Sequence, residues 1–179
     1  MIQLVGVMWM MAVFFAIIGF LRGFTKEVIS TSGIILALFA LFQFDQYIRA
    51  PFQIADVPNG QIFLLQVVMF AIVVFLAYQT RALGIGDSGD DNRDDLQASV
   101  LGGIFGFLNG YLIWGSVWYF LDINQYPFSP YIIAPSPGSP SDTALNILPL
   151  VVLAGGPGGS GDILALAVIV LFLIVLFLI

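Results

Sequence analysis

Five aspartates between positions 87 and 95 form the densest group of potential metal ligands in this sequence. Carboxylate oxygens bind calcium, but an EF-hand loop needs a glycine and a closing glutamate at fixed offsets, and both are missing here. We therefore expect a solvated loop without a metal site. The last two aspartates precede an apolar segment, where a carboxylate favours the start of a helix. The five are Asp87, Asp90, Asp91, Asp94 and Asp95.

The chain contains no cysteine and no histidine among its 179 residues. This composition excludes disulfides, thiolate metal sites and histidine ligation of haem, and it removes the most common general acid and base near neutral pH. The sequence also shows no nucleophile–base pair and no phosphate-binding glycine loop. We expect no enzymatic activity, no catalytic residues and no cofactor, although a bound lipid or quinone is compatible with the sequence.

Two basic residues, Arg22 and Lys26, are spaced one helical turn apart, so on a continuing helix they project to the same side. They could bind lipid phosphate or an acidic partner. The alternative is that they fix the orientation of the chain and extend to the membrane interface. We favour this anchoring role and expect Glu27 to form only a weak, exposed pair with a neighbouring base.

Asn109 is the principal polar candidate inside an apolar segment. A buried amide in lipid needs a partner, and Gln66 or Ser32 on other segments could supply it. A polar lining for a ligand or a quinone headgroup is the functional alternative. We favour a hydrogen bond between helices.

The overall composition places these residues in a membrane. Hydrophobic residues make up 60% of the chain and charged residues 9%, whereas a soluble domain carries about 25% charged residues. The net charge of −6 argues against nucleic-acid binding. We therefore predict an all-α, polytopic transmembrane helix bundle.

Five apolar segments are long enough to cross a hydrocarbon core of roughly 30 Å as helices. We predict a four-helix core over residues 1–122 and a fifth, C-terminal transmembrane helix over 163–179. Residues 123–162 form a proline- and glycine-rich, non-cytoplasmic loop whose short apolar run at 147–154 is interfacial or re-entrant. The segments cover residues 4–21, 28–44, 62–78, 98–121 and 163–179.

Glycines mark one face of the fourth segment. Gly102, Gly106 and Gly110 recur every four residues, so on a helix they share a side. Small residues let helix backbones approach closely in lipid, and this face is therefore the predicted seam of the bundle. Residues 19–24 repeat part of the pattern of residues 106–111. We favour chance or separate selection for small-residue packing over the trace of an inverted repeat.

Charge placement predicts the topology and limits the function. Four of the five basic residues fall in the loops after the first and third segments, which predicts a cytoplasmic location for these loops. The N-terminus is then outside and the C-terminus cytoplasmic. No ionisable residue falls in the central part of an apolar segment, which argues against a channel or carrier.

Two stretches resemble the signature segments of the colicin V production (CvpA) family. They are the run GFLRGFTKEVIS at residues 19–30, followed by Gly33, and the run LGGIFGFLNG at residues 101–110. The resemblance implies a small bacterial inner-membrane protein with four spans, linked to toxin export or envelope homeostasis and without known catalytic residues. The family often has a base where Asn109 stands, and it commonly ends soon after its fourth span.

We therefore expect a non-catalytic, multi-pass protein of the bacterial inner membrane. Its expected partners are membrane lipids and other integral membrane proteins. An accessory structural subunit of a large respiratory or photosynthetic complex is the main alternative, because the fifth segment is almost devoid of polar residues.

Overall fold

The computed structural model describes residues 3–79 and 92–178, and the described chain folds as a helix bundle. Four helices are long and apolar enough to cross a membrane, and a shorter apolar helix follows them at the C-terminal end. The polytopic all-α prediction is therefore confirmed. The helices are α1 (Leu4–Arg22), α2 (Phe24–Ile54), α3 (Asn59–Tyr78), α4 (Asn92–Ile123), α5 (Pro140–Ala144), α6 (Pro149–Ala154) and α7 (Asp162–Leu178), with a 3₁₀ turn at Leu145–Ile147 between α5 and α6.

A single residue separates α1 from α2. Gly23 has φ 84° and ψ 165°, a conformation that side chains disfavour, so the chain reverses at this point. The prediction that Arg22 and Lys26 share one side of a continuing helix is wrong, because the helix is broken between them. The reversal instead brings the end of α1 beside the first turn of α2.

Helix α2 is the central element, because it packs against α3, α4 and α7. It begins four residues before the predicted second segment and continues ten residues beyond it. Its apolar side supplies half of the buried residues of the main core, and the surrounding helices supply the others. This core contains Ile34, Ile35, Ala37, Leu38 and Leu41 of α2, Phe70 of α3, Leu112 and Phe120 of α4, Leu150 of α6 and Leu164 of α7.

Helix α1 packs antiparallel on α4, and the two backbones come closest at the glycines of both helices. A methyl group added to Gly106 would lie 2.9 Å from the Cα atom of Gly19. One added to Gly102 would lie 2.7 Å from the carbonyl carbon of Gly23, and one added to Gly110 would lie 2.7 Å from the Cα atom of Ala12. These separations are shorter than carbon–carbon contact distances, so each position has room for hydrogen alone. The two stretches that resemble each other, 19–24 and 106–111, therefore meet at their first residues, Gly19 and Gly106.

The proline-rich chain after α4 forms turns and short helices rather than one extended segment. Ser139 caps α5 by accepting a hydrogen bond from the backbone N–H of Asp142 at 3.1 Å. The short apolar run that was predicted as interfacial or re-entrant contains α6. Pro149 of α6 lies against Gly115, in the second half of α4, so α6 packs beside a membrane-spanning segment.

Helix α7 returns along α2 in the opposite direction. Gly161, just before α7, lies against the ring of Phe42, whereas Leu171 lines the same cavity as Thr31 near the start of α2. The described chain therefore begins at one end of the bundle and finishes at the other. At 17 residues, α7 is shorter than the four preceding spans.

Candidate functional site

The side chain of Glu27 is completely buried where four helices meet. Arg22, at the end of α1, forms an ion pair and a hydrogen bond with its Oε1 atom. Asn109 of α4 donates from Nδ2 to the Oε2 atom at 2.7 Å, and the hydroxyl of Tyr78 on α3 donates to the same oxygen at 3.3 Å. Both carboxylate oxygens therefore have partners, and these partners come from three other helices.

Arg22 is directed into the bundle by the reversal at Gly23. Its guanidinium donates to Ser30 Oγ and to the backbone carbonyl of Tyr78, each at 3.2 Å. It also lies 4.4 Å from the centre of the Tyr78 ring, within the range of a cation–π contact. Its side chain is 21% exposed, so the charge is held mainly by protein groups. A role of Arg22 and Lys26 at lipid headgroups stays a prediction.

Asn109 finds its partners on α2, but they are not the predicted ones. Its amide binds Glu27, as above, and the Thr31 hydroxyl lies 2.8 Å from its Oδ1 atom. The prediction of Gln66 or Ser32 is wrong: the Ser32 hydroxyl donates to the carbonyl of Val28, and Gln66 belongs to a second cluster. We use the name Glu27 network for Arg22, Glu27, Ser30, Thr31, Tyr78 and Asn109.

The Glu27 network joins the middle of α4, where Asn109 is the eighteenth of 32 residues, to the ends of three other helices. Arg22 is the last residue of α1, Glu27 lies in the first turn of α2, and Tyr78 is the last residue of α3. The expectation of a weak, exposed Glu27 pair is wrong, because the Glu27 side chain is completely buried. Removing one member of a buried ion pair typically costs about 3–5 kcal/mol, because the other charge stays buried. A completely buried charge inside a bundle of apolar helices is the leading candidate for a functional group.

A second cluster of four side chains, which we name the Asp45 ring, lies nearer the other end of α2. Arg49 donates to Asp45 at 2.7 Å and to Asn124 Oδ1 at 3.2 Å. Gln66 donates to Asp45 at 2.7 Å, and Asn124 donates to Gln66 Oε1 at 2.7 Å, which closes the ring. Helices α2 and α3 and the end of α4 are thereby joined.

Apolar side chains of the core lie between the two clusters. Ile34 and Leu38 occupy the turns of α2 between Thr31 and Asp45, and the Phe70 and Phe120 rings pack edge to face at 5.8 Å. The clusters are therefore separate sites. Each one neutralises its charges with neighbouring protein groups and fastens several helices together.

Sequence reasoning identified Asn109 but missed Glu27, Tyr78 and the Asp45 ring. Only Asp45 and Arg49 carried a detectable signal, since their spacing of four residues suits an ion pair on one helical face. Nothing local in the sequence shows that a reversal at Gly23 turns Glu27 inward. The solvated loop was predicted for five aspartates. Asp87, Asp90 and Asp91 lie outside the described residues, and so do the side chains of Asp94 and Asp95.

Comparison with known proteins agrees with the resemblance of the two signature runs. Residues 6–140 match the family model described as colicin V production protein. The match covers α1 to α4 and continues through the proline-rich turns, whereas α6 and α7 lie beyond it. No curated protein and no solved structure matched the chain. Since the family match spans about three quarters of the sequence, this chain belongs to the colicin V production family of membrane proteins.

Proposed function

We propose that this protein is a non-catalytic, multi-pass protein of the bacterial inner membrane that acts by packing against other integral membrane proteins. Its role is then in toxin production or a related envelope process, as the family suggests. The observation that carries this proposal is the distribution of polarity. The charges within the Glu27 network and within the Asp45 ring are paired with each other, and most of the large exposed side chains of the spans are apolar.

Helices α1, α3 and α7 each expose an apolar side, and we propose that α3 and α7 make these contacts. On α3 the exposed side chains include Leu64, Val68, Ile72 and Phe75, which recur at helical spacing along one side. On α7 the exposed side includes Leu166, Ile169, Phe172 and Leu176. Aliphatic and aromatic surfaces of this kind suit lipid chains and the apolar faces of other transmembrane helices.

An accessory structural subunit of a large respiratory or photosynthetic complex is the second candidate. The observation in its favour is α7, an almost purely apolar helix that lies beyond the family match and exposes much of its surface. A helix added to a four-helix core provides one more side for a permanent neighbour. A small channel or carrier is less favoured, because an apolar core separates the two polar clusters.

Purification of the tagged full chain in a mild detergent, followed by mass spectrometry of co-migrating proteins, tests the proposal. We expect a defined integral membrane protein in fixed stoichiometry. Phe172→Ala on α7 should reduce its recovery, whereas Phe14→Ala on the exposed side of α1 serves as the matched control. Recovery of respiratory or photosynthetic subunits would favour the second candidate.

A chain that purifies alone from its native membrane, with or without these substitutions, would contradict both candidates. A liposome flux assay then addresses the channel, for which we expect no conductance above that of empty vesicles.

A further inference from the structure

A loop with exposed apolar side chains follows α4. Residues 128–133, which we name the Tyr131 loop, belong to no helix. The large side chains of this loop are nevertheless exposed, Tyr131 by 93% and Ile133 by 42%. No charged residue lies between Asp122 and Asp142, whereas about 25% of the residues of a soluble domain are charged. A surface of this composition is poorly suited to bulk water.

Contacts with α3 fix the level of the Tyr131 loop in the bundle. The ring of Phe128 packs edge to face on the ring of Phe63, in the second turn of α3, with 5.3 Å between the ring centres. The carbonyl of Phe128 also accepts hydrogen bonds from the backbone N–H groups of Tyr131 at 2.8 Å and Ile132 at 3.2 Å. The loop therefore lies beside the start of α3.

The length of α3 relates its start to a membrane boundary. Helix α3 is apolar enough to cross a membrane and has 20 residues, so it is about 30 Å long, which equals the thickness of the hydrocarbon core. A helix of this length crosses the core only if each of its ends lies near a polar boundary. Its first residues, Asn59, Gly60 and Gln61, agree with such a position. The Tyr131 loop, beside these turns, then lies where lipid headgroups meet acyl chains.

The backbone of the loop favours this boundary over the hydrocarbon core. Among the described residues, the backbone N–H groups of Ile133 and Ala134 have no hydrogen-bond partner. Unpaired backbone groups of this kind do not occur in hydrocarbon, whereas water and headgroup oxygens at the boundary can accept their hydrogen bonds. Tyrosine is enriched at the same boundary, because its ring is apolar and its hydroxyl is polar. The side chains and the backbone of the loop thus suit opposite sides of one boundary.

We propose that the Tyr131 loop inserts into the bilayer at the boundary between headgroups and acyl chains, beside α3, and anchors this end of the bundle there. The loop recognises the boundary and no particular phospholipid, because it has no cationic side chain with which to select an anionic headgroup. A partner protein that covers the loop in place of lipid is the competing explanation, and the experiment below separates the two.

Fluorescence quenching of the full chain in vesicles tests this anchor. The chain has no cysteine, so Tyr131→Cys and Ile133→Cys each provide a single site for an environment-sensitive fluorescent label. The vesicles consist of phosphatidylethanolamine and phosphatidylglycerol and carry a nitroxide either near the headgroup or near the end of an acyl chain. We expect blue-shifted emission from both labels, stronger quenching by the shallow nitroxide than by the deep one, and a loss of quenching by aqueous iodide.

Two control labels calibrate the measurement. Ser136→Cys is an exposed position a few residues farther along the chain, with the same absence of nearby sequence charges, and its label should stay open to iodide. Val68→Cys, on the exposed side of α3 and the tenth of its 20 residues, should be quenched more by the deep nitroxide. Labels at Tyr131 and Ile133 that are as open to iodide as the Ser136 label would overturn the proposal and favour a partner protein. Stronger quenching by the deep nitroxide would overturn it as well, because the loop would then lie in the hydrocarbon core.

Discussion

The acidic side chain of Glu27 is completely buried in the bundle. Its stability there depends on three donors together, because a buried carboxylate that lacks even one partner keeps part of its desolvation cost. Arg22 neutralises the charge, while Asn109 and Tyr78 fix the second oxygen. The same contacts tie α1, α3 and α4 to the first turn of α2, so one residue links all four long helices.

Asn109→Leu should lower the stability of the bundle, because it removes the closest donor to Glu27 Oε2 and leaves the Thr31 hydroxyl with one acceptor fewer. We expect a loss of about 1–3 kcal/mol, which is the range for leaving a buried charged acceptor partly unpaired. Unfolding of the purified protein in a titration with sodium dodecyl sulfate measures it. Gln61→Leu at an exposed position of α3 is the control. Equal stability of the two variants would contradict a bracing role for Asn109.

At the level of single residues, the sequence allows Asn109 to be predicted as a site residue but not Glu27. Asn109 stands out because an amide in an apolar helix requires a partner. Glu27 does not stand out, because it lies at the edge of an apolar segment, where charges are common. Its burial depends on the reversal at Gly23 and on the long-range approach of α4, and neither is encoded in the residues next to it.

The packing of α1 on α4 shows how regularly spaced glycines let two helices approach closely. Its closest approaches occur where Gly19 meets Gly106 and where Gly23 meets Gly102. A repeat of four residues predicts a flat face on one helix, but it does not identify the partner helix. The length of α2 was equally hard to predict, since its last turns contain the charged residues Asp45 and Arg49. These residues find their partners in the Asp45 ring.

Gly106→Ala should destabilise the α1–α4 contact, because the new methyl group would meet the backbone of Gly19. We expect a cost of about 1–3 kcal/mol, typical of an overpacked interface. Gly6→Ala is a sharp control, because nothing lies within 4 Å of a methyl group at that position of α1. There alanine should stabilise the helix by up to about 1 kcal/mol through its higher helix propensity. Thermal aggregation assays on the two variants should move in opposite directions, and a shared direction would refute the predicted seam.

At the scale of the whole molecule, the described part of the chain begins and finishes at opposite ends of the bundle, since α7 runs back along α2 toward the α1–α2 reversal. The places of the four long apolar helices, and of the shorter apolar helix α7, followed from hydropathy alone. The packing of α6 beside α4 did not, because an apolar run of eight residues is compatible with an interfacial, a re-entrant or a buried position.

Alkaline phosphatase fusions test the predicted orientation. A fusion after Tyr131, an exposed residue of the loop between α4 and α5, should be active, because the enzyme needs the oxidising outer compartment for its disulfides. A fusion at the C-terminal end of the chain should be inactive. The reverse pattern would invert the predicted topology without altering the fold.

The most direct test of the Glu27 network is a double-mutant comparison at its ion pair. Arg22→Met alone should cost about 3–5 kcal/mol in the sodium dodecyl sulfate titration, because it leaves a fully buried carboxylate without its counter-charge. Adding Glu27→Gln should recover a large part of that loss, since the amide removes the charge and still accepts hydrogen bonds from Asn109 and Tyr78. If the loss of stability in the double variant instead equals the sum of the two single-variant losses, the two residues act independently. The buried pair is then not what joins the four helices.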